Sequence, residues 1–215
     1  MEKKNIIIVG AGGFGRTVLN YAKDCFPAGS EFFIKGFLDD NPASLENYNL
    51  DKKILGAVGD FRIKENDFFL MALGDPASKK KLTEKLEAKG ARFIPLIHPL
   101  AYIAPNSSIG TGCIICPFSS VGPDVVLDNY VTLNISTSCG HDSKVGKFSV
   151  LSPHATVNGF AILEDEVFLG THATVTPGKR VGSKSKLSAG SVALNDVPPN
   201  SLVFGNPGKL FSSIA

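Results

Sequence analysis

From Ile97 to Leu187 every sixth residue is apolar. The run begins Ile97, Ile103, Ile109, Ile115, Val121 and continues unbroken, and only Cys139 in it is not Val, Ile or Leu. With 43% of the chain hydrophobic, sixteen hits in sixteen would arise by chance on the order of once in a million. Four residues after each stands a small or β-branched residue, as in Ala101, Ser119, Thr137, Ala155 and Ala173, with Lys179 the one exception. Neither a helix nor an ordinary strand has this period. A period of six predicts a three-sided parallel β-helix, with three hexads to a coil of about 18 residues. The aliphatic residue points inward and the small one fits where the chain turns. Residues 18 apart then lie one above the other, about 4.8 Å apart.

Before this region the period changes. Asn5–Val9 is a continuous apolar strand, followed by Gly10-Ala11-Gly12-Gly13-Phe14-Gly15 and a helical run from Arg16 to about Cys25. Phe32–Leu38, Lys53–Val58 and Asp67–Leu73 read as strands, Ala77–Lys89 as an amphipathic helix, and Arg92–Ile97 as a last strand entering the coil. This predicts an α/β domain with a parallel sheet, a Rossmann-like half domain. The expected organisation is residues 1–96 as the α/β domain, 97–197 as the coil and 198–215 as a cap or tail. The tail, Val197 to Lys209, breaks the repeat, and a solenoid needs such a cap.

Composition narrows the function. Net charge is +2 with scattered basic residues, which argues against nucleic acid as a partner. Lys79, Lys80 and Lys81 form the one basic run and are expected to be the solvated face of a helix. No apolar stretch reaches 18 residues and Met1 runs almost directly into a strand, so neither a membrane span nor a signal peptide is expected. Four cysteines suit a reducing cytoplasm. Cys113-x-x-Cys116 is a lone pair and a poor zinc candidate.

The glycine loop fits G-x-G-x-x-G at Gly10, Gly12 and Gly15 between a strand and a helix, a geometry that lets backbone approach a phosphate or sugar. Asp39 and Asp40 end the second strand, where such folds place an acid on a ribose. A nucleotide, NAD among them, and a purely structural turn remain open on these residues alone. Of the four histidines, His98 at the domain junction reads as structural. His141 follows the inward Cys139 by two residues and should face outward, with Asp142 beside it to orient the imidazole. Gly159, one coil above, leaves room over the ring, and its N–H is a candidate oxyanion donor. His154 and His172 are 18 apart and should stack. Two histidines fall short of the three ligands of a catalytic zinc site, so no metal is expected.

The repeat, with Ile109-Gly110, Val121-Gly122 and Val145-Gly146 among its units, resembles the left-handed parallel β-helix family over residues 97–192. Joined to Ile6–Arg16, Gly36–Asp40 and Ala72-Leu73-Gly74-Asp75, it resembles the hexapeptide-repeat sugar acyltransferase family of sialic acid O-acetyltransferases and nucleotide-amino-sugar N-acetyltransferases. The resemblance implies acetyl-CoA as co-substrate, a nucleotide-linked sugar as acceptor and a homotrimer with acetyl-CoA bound between subunits. It places the sugar nucleotide against Gly10, Gly12, Gly13, Phe14, Gly15, Asp39, Asp40 and Gly74, the catalytic pair on His141 and Asp142, the oxyanion glycine on Gly159 and a substrate-side asparagine on Asn134. The tail resembles the Gly-Asn-Pro tail of hexapeptide acetyltransferases, which makes Gly190 and Lys209 candidates for the coenzyme alongside Gly159. A second histidine found in some members is replaced here by Val150. The expected reaction is N-acetylation of a 4-amino-4,6-dideoxyhexose. O-acetylation of a sugar or sialic acid hydroxyl and a non-enzymatic sugar-nucleotide scaffold are the alternatives.

Overall fold

The structure is a computed structural model that describes residues 3–213. It opens with β1 (Lys4–Val9), α1 (Gly13–Cys25), β2 (Phe32–Leu38), β3 (Ile54–Gly56), β4 (Asp67–Met71), α2 (Pro76–Glu87) and β5 (Arg92–Phe93). The five strands form one parallel sheet in the order β3-β2-β1-β4-β5. β1 is central, and Ile6 to Val9 are all fully buried. A strand covered on both faces needs a continuous apolar run rather than an alternating one. α1 turns Val18, Leu19 and Ala22 inward at helical spacing. α2 starts where Asp75 Oδ2 accepts the Ser78 N–H at 2.8 Å, with Pro76 in the first turn, where a missing N–H costs nothing.

The predicted strand Arg92–Ile97 is two strands. β5 closes the parallel sheet, and β6 (Leu96–Ile97) already belongs to the coil. Pro95 lies between them, and without an N–H it cannot continue a ladder. From β6 a two-residue strand recurs every six residues as far as β22 (Val192–Ala193). These strands fall on three faces. The first carries Leu96, Ile114, Thr132, Val150, Phe168 and Lys186; the second Tyr102, Ser120, Ser138, Thr156, Thr174 and Val192; the third Ser108, Val126, Lys144, Ile162 and Arg180. Each strand pairs in parallel with the one 18 residues on, as in Ser120↔Ser138 and Lys144↔Ile162. The inward residues form one continuous core. Ile97 departs from the expected inward set: it is 38% exposed because β6 ends its sheet and no coil lies below it.

The corners have a signature the repeat alone did not reveal. From Ile109 onward the third residue after each inward residue takes a positive φ near 60°, in Asp124, Tyr130, Ser136, Asp142, Phe148, His154, Phe160 and others. Outside glycine this conformation costs roughly 1 kcal/mol or more per residue. The next residue, the small one, is buried against the inside of the bend, as Ser143, Ala155 and Ala161 are. Lys179 is half-buried in this slot on the last corner before the third face ends at Arg180–Val181. Beyond the coil, β23 (Ser201–Phe204) pairs in parallel with the strand Lys186–Leu187, and β24 (Lys209–Ser213) folds back antiparallel on it.

The α/β domain packs on the first face and its corner. Tyr130 and Phe148 stack with ring centroids 5.0 Å apart, and Phe93 meets Tyr130 edge-on. Tyr130 Oη donates to Glu87, and Lys80 pairs with Glu166 at 2.8 Å. The basic run is therefore a solvated face only in part, with Lys81 exposed and Lys80 half-buried. Lys79 is fully buried, and its ammonium donates to Thr132 Oγ1 at 2.6 Å. It points from α2 at the coil, four residues from the buried Thr83 and seven from the buried Leu86.

Burial without a carboxylate partner pushes Lys79 down to about 7 from its ordinary 10.5, Cys113 opposing only weakly. Below pH 7 folded and unfolded chains both hold the proton, and the fold carries the full cost of the buried charge. From pH 7 upward the unfolded chain keeps a proton that the folded chain has released, so stability rises with pH. The window closes near pH 8.5, where unfolded thiols begin to ionise while burial holds Cys113 up at about 11 and Cys116 at about 12. Lys79→Met should remove a slope of up to about 1.4 kcal/mol per pH unit between pH 7 and 8.5. It should also stabilise the protein at pH 6 by roughly 1–3 kcal/mol. Urea unfolding across this range checks both.

Candidate active site

His141 stands on the corner between the second and third faces, just after the strand Ser138–Cys139. Ladder bonds hold it in register with the coils on either side: Asp142 N–H donates to Pro123 O at 3.0 Å, and Phe160 N–H donates to His141 O at 3.0 Å. The imidazole is 57% exposed. Asp142 takes the left-handed corner conformation, φ 58°, which Asp tolerates better than most residues. The bend brings its carboxylate to the preceding ring, with Oδ2 2.9 Å from Nδ1. An ionised carboxylate only accepts, so Nδ1 carries the proton and Nε2 presents its lone pair.

Gly159 covers that nitrogen. A Cβ at Gly159 would fall 2.7 Å from His141 Nε2 and 2.8 Å from Cε1, so any side chain there would collide with the ring. The Gly159 N–H donates to nothing among the described residues, although its carbonyl accepts from Gly178. A bare Cα thus lies against the free imidazole nitrogen, and the amide of the same glycine is unused among the described residues. Phe160 completes the site, its ring edge-to-face with the imidazole at 5.1 Å. Sequence reasoning passed over Phe160. The 18-residue ruler from Asp142 lands on it directly.

Asn134 is not brought to this spot within one chain. It sits on the preceding corner, a whole face away, and its amide donates to Leu151 O at 2.9 Å. His154 and His172 share that corner and stack as expected, with centroids 4.7 Å apart and planes 8° apart. Among the described residues no cluster of three or more His, Cys, Asp or Glu could hold a metal. Gly190 stands one coil above His172, and Lys209 follows Gly208, whose N–H donates to Val192 O at 2.9 Å. Both therefore lie at the top of the coil, Gly190 on the corner between the first and second faces and Lys209 in the last strand of the first-face sheet. Val150 is buried on the first face. His98 is buried, with Nε2 3.1 Å from Asp24 Oδ2, between α1 and the start of the coil.

The glycine loop lies at the other end of the molecule's chemistry. Gly15 packs so closely that a Cβ would fall 1.9 Å from Gly10 O, whereas Gly12 and Gly74 face open space. Gly12 and Gly13 are exposed, and Phe14 packs into the core behind them. Asp39 braces the loop from within: Oδ2 accepts Ala11 N–H at 2.7 Å, and Oδ1 accepts Asn41 N–H at 2.9 Å and Ser44 Oγ–H at 3.2 Å. Asp40 is exposed, with one oxygen on Val58 N–H. Arg16 lays its guanidinium on the Tyr48 ring at 3.4 Å, at the start of α1.

Residues 5–86 match the PglD N-terminal domain family. A GDP-perosamine N-acetyltransferase of Escherichia coli O157:H7 is 26% identical over 94% of both chains. Among solved structures, PerB from Caulobacter crescentus, in complex with CoA and GDP-perosamine, is similar at TM-score 0.87 and 25% identity over 97% of both chains. The acetyltransferase domain of PglB from Neisseria gonorrhoeae FA1090 is similar at TM-score 0.87 and 27% identity, over 97% of this chain and all of that one.

Gly159→Ala tests the contact over the ring. The added methyl must displace the imidazole, and a displacement of about 1 Å at a reacting group costs about 10²-fold in rate. We expect kcat to fall by about that factor with an unchanged melting temperature.

Proposed function

We propose that this chain is a hexapeptide-repeat acyltransferase of the sugar type and that it carries acetyl from acetyl-CoA to the amino group of a nucleotide-linked 4-amino-4,6-dideoxyhexose. The observation that carries the proposal is His141 Nε2 lying against Gly159, where no side chain fits and whose N–H is unused among the described residues. The complex of PerB with CoA and GDP-perosamine supports both ligand classes.

In this reading the exposed backbone at Gly12, Gly13 and Gly74 takes the nucleotide end of the acceptor, with Asp40 at its margin. Phe14 and Asp39 hold the loop in shape from behind. His141 Nε2 removes the amine proton as nitrogen attacks the thioester carbon, and Asp142 fixes the ring. The N–C bond forms, and the carbonyl oxygen becomes an oxyanion facing the Gly159 N–H. Collapse breaks the C–S bond, and the imidazolium returns its proton to the departing thiolate. No covalent enzyme intermediate is needed. His141 stands on an open edge, and a homotrimer would close it: a neighbour's first corner would bring Asn134, while Gly190 and Lys209 lie at the coenzyme's far end.

A positioned base contributes about 10²–10⁴ in rate, so His141→Ala should lower kcat by that range and leave the melting curve in place. A thermal-shift panel of UDP-, dTDP-, GDP- and CMP-linked amino sugars, with and without acetyl-CoA, identifies the acceptor, because a ligand of the folded state raises its apparent stability. Turnover of an alcohol acceptor with none of any amino sugar would overturn N-transfer.

A further inference from the structure

Phe160 is unexplained by packing. It is 59% exposed and takes φ 59°, a conformation that favours glycine over a bulky residue. In its corner column Asp124 and Asp142 lie below it and Gly178 above. A Cβ at Gly178 would meet nothing within 4 Å, so the space above the ring is open. Of the groups around the imidazole, Asp142 is a carboxylate and Gly159 is bare backbone. Phe160 is the apolar side chain there.

This placement bears on the acceptor, and the inference rests on the function proposed above. When the amine on C4 of a hexose lies within about 3 Å of His141 Nε2, the substituent on C5 is its immediate neighbour and falls close beside the imidazole. In a 6-deoxy sugar that substituent is a methyl group, and in an ordinary hexose it is a hydroxymethyl. A methyl group set on an aromatic ring gains by leaving water, whereas a hydroxyl there loses its water without gaining a partner. We infer that Phe160 is a specificity residue that receives the C6 methyl and selects 6-deoxy acceptors over their 6-hydroxyl counterparts.

The test compares kcat/KM for GDP-4-amino-4,6-dideoxymannose and GDP-4-amino-4-deoxymannose in the full-length protein. An apolar contact of one methyl group discriminates by about tenfold or more, and this is the ratio expected of the wild type. Phe160→Ala should bring the ratio to within about twofold, chiefly by losing rate on the 6-deoxy sugar. Phe160→Tyr, which keeps the ring and adds a hydroxyl, should also narrow it and serves if the alanine variant does not fold. An unchanged ratio in an active variant overturns the inference. So does a variant that keeps the ratio but loses its assembly on sedimentation, which would assign the ring to a subunit contact. If the wild type acetylates neither sugar nor their UDP and dTDP forms, the amino-sugar reading itself falls, a result distinct from an unchanged ratio.

Discussion

The vertical hydrogen-bonded register of the coil is the constraint on which everything else depends. Each strand bonds to its counterpart 18 residues away, and each corner residue bonds to the corner below, as Phe160 does to His141 and Asp142 to Pro123. Catalytic geometry here is consequently a property of backbone stacking. The backbones of His141 and Gly159 are about one strand spacing apart because those of every such pair in the coil are. No loop has to close and no side-chain network has to be assembled to bring them together. The inward column of aliphatics supplies the apolar burial that holds this stack rigid, coil on coil, without contacts from distant parts of the chain.

The same register explains how the two parts of the molecule fit. The face that receives the α/β domain differs from the others in its outward residues: Leu96, Ile114, Thr132 and Val150 are buried there, whereas Val126 and Lys144 on the third face are exposed. Aromatic residues at the corner, Tyr130 and Phe148, extend the apolar area. Lys79 is set into this contact with a threonine hydroxyl for company. Its long methylene stem packs like an aliphatic residue while the nitrogen finds one acceptor. The glycine loop and the histidine corner are thus carried by parts that pack on each other.

Much of this was legible in the sequence. The six-residue period gave the coil, its inward set and the superposition of Gly159 on His141, because the coil turns sequence distance directly into spatial distance. The strand–loop–helix unit was legible because a doubly covered strand needs an unbroken apolar run. Four features were not. Lys79 lay in a basic run, and burial of a lysine depends on a surface from far along the chain. Asp39 read as an acid facing a ligand; that its Oδ2 also accepts from Ala11 in the glycine loop and its Oδ1 from Asn41 and Ser44 is a contact local pattern cannot show. Phe160 occupies a position whose inward neighbours, not itself, carry the repeat, so periodicity is silent about it. Ile97 obeyed the period and still lies at the surface, because a period cannot indicate where a stack ends.

The corner residues carry a last consequence. Their backbone bend is the same whether the residue is Asp, Phe, His, Tyr or Lys, so identity at these places is nearly decoupled from the architecture. A change of chemistry at a corner therefore leaves the scaffold standing. Changes of length behave in the opposite way and obey an arithmetic of their own. Eighteen extra residues inserted well away from Asp142 lengthen the prism and leave His141 and Gly159 as neighbours. Six residues lost between His141 and Gly159 rotate the amide by a third of a turn, onto an edge where it can no longer reach the imidazole.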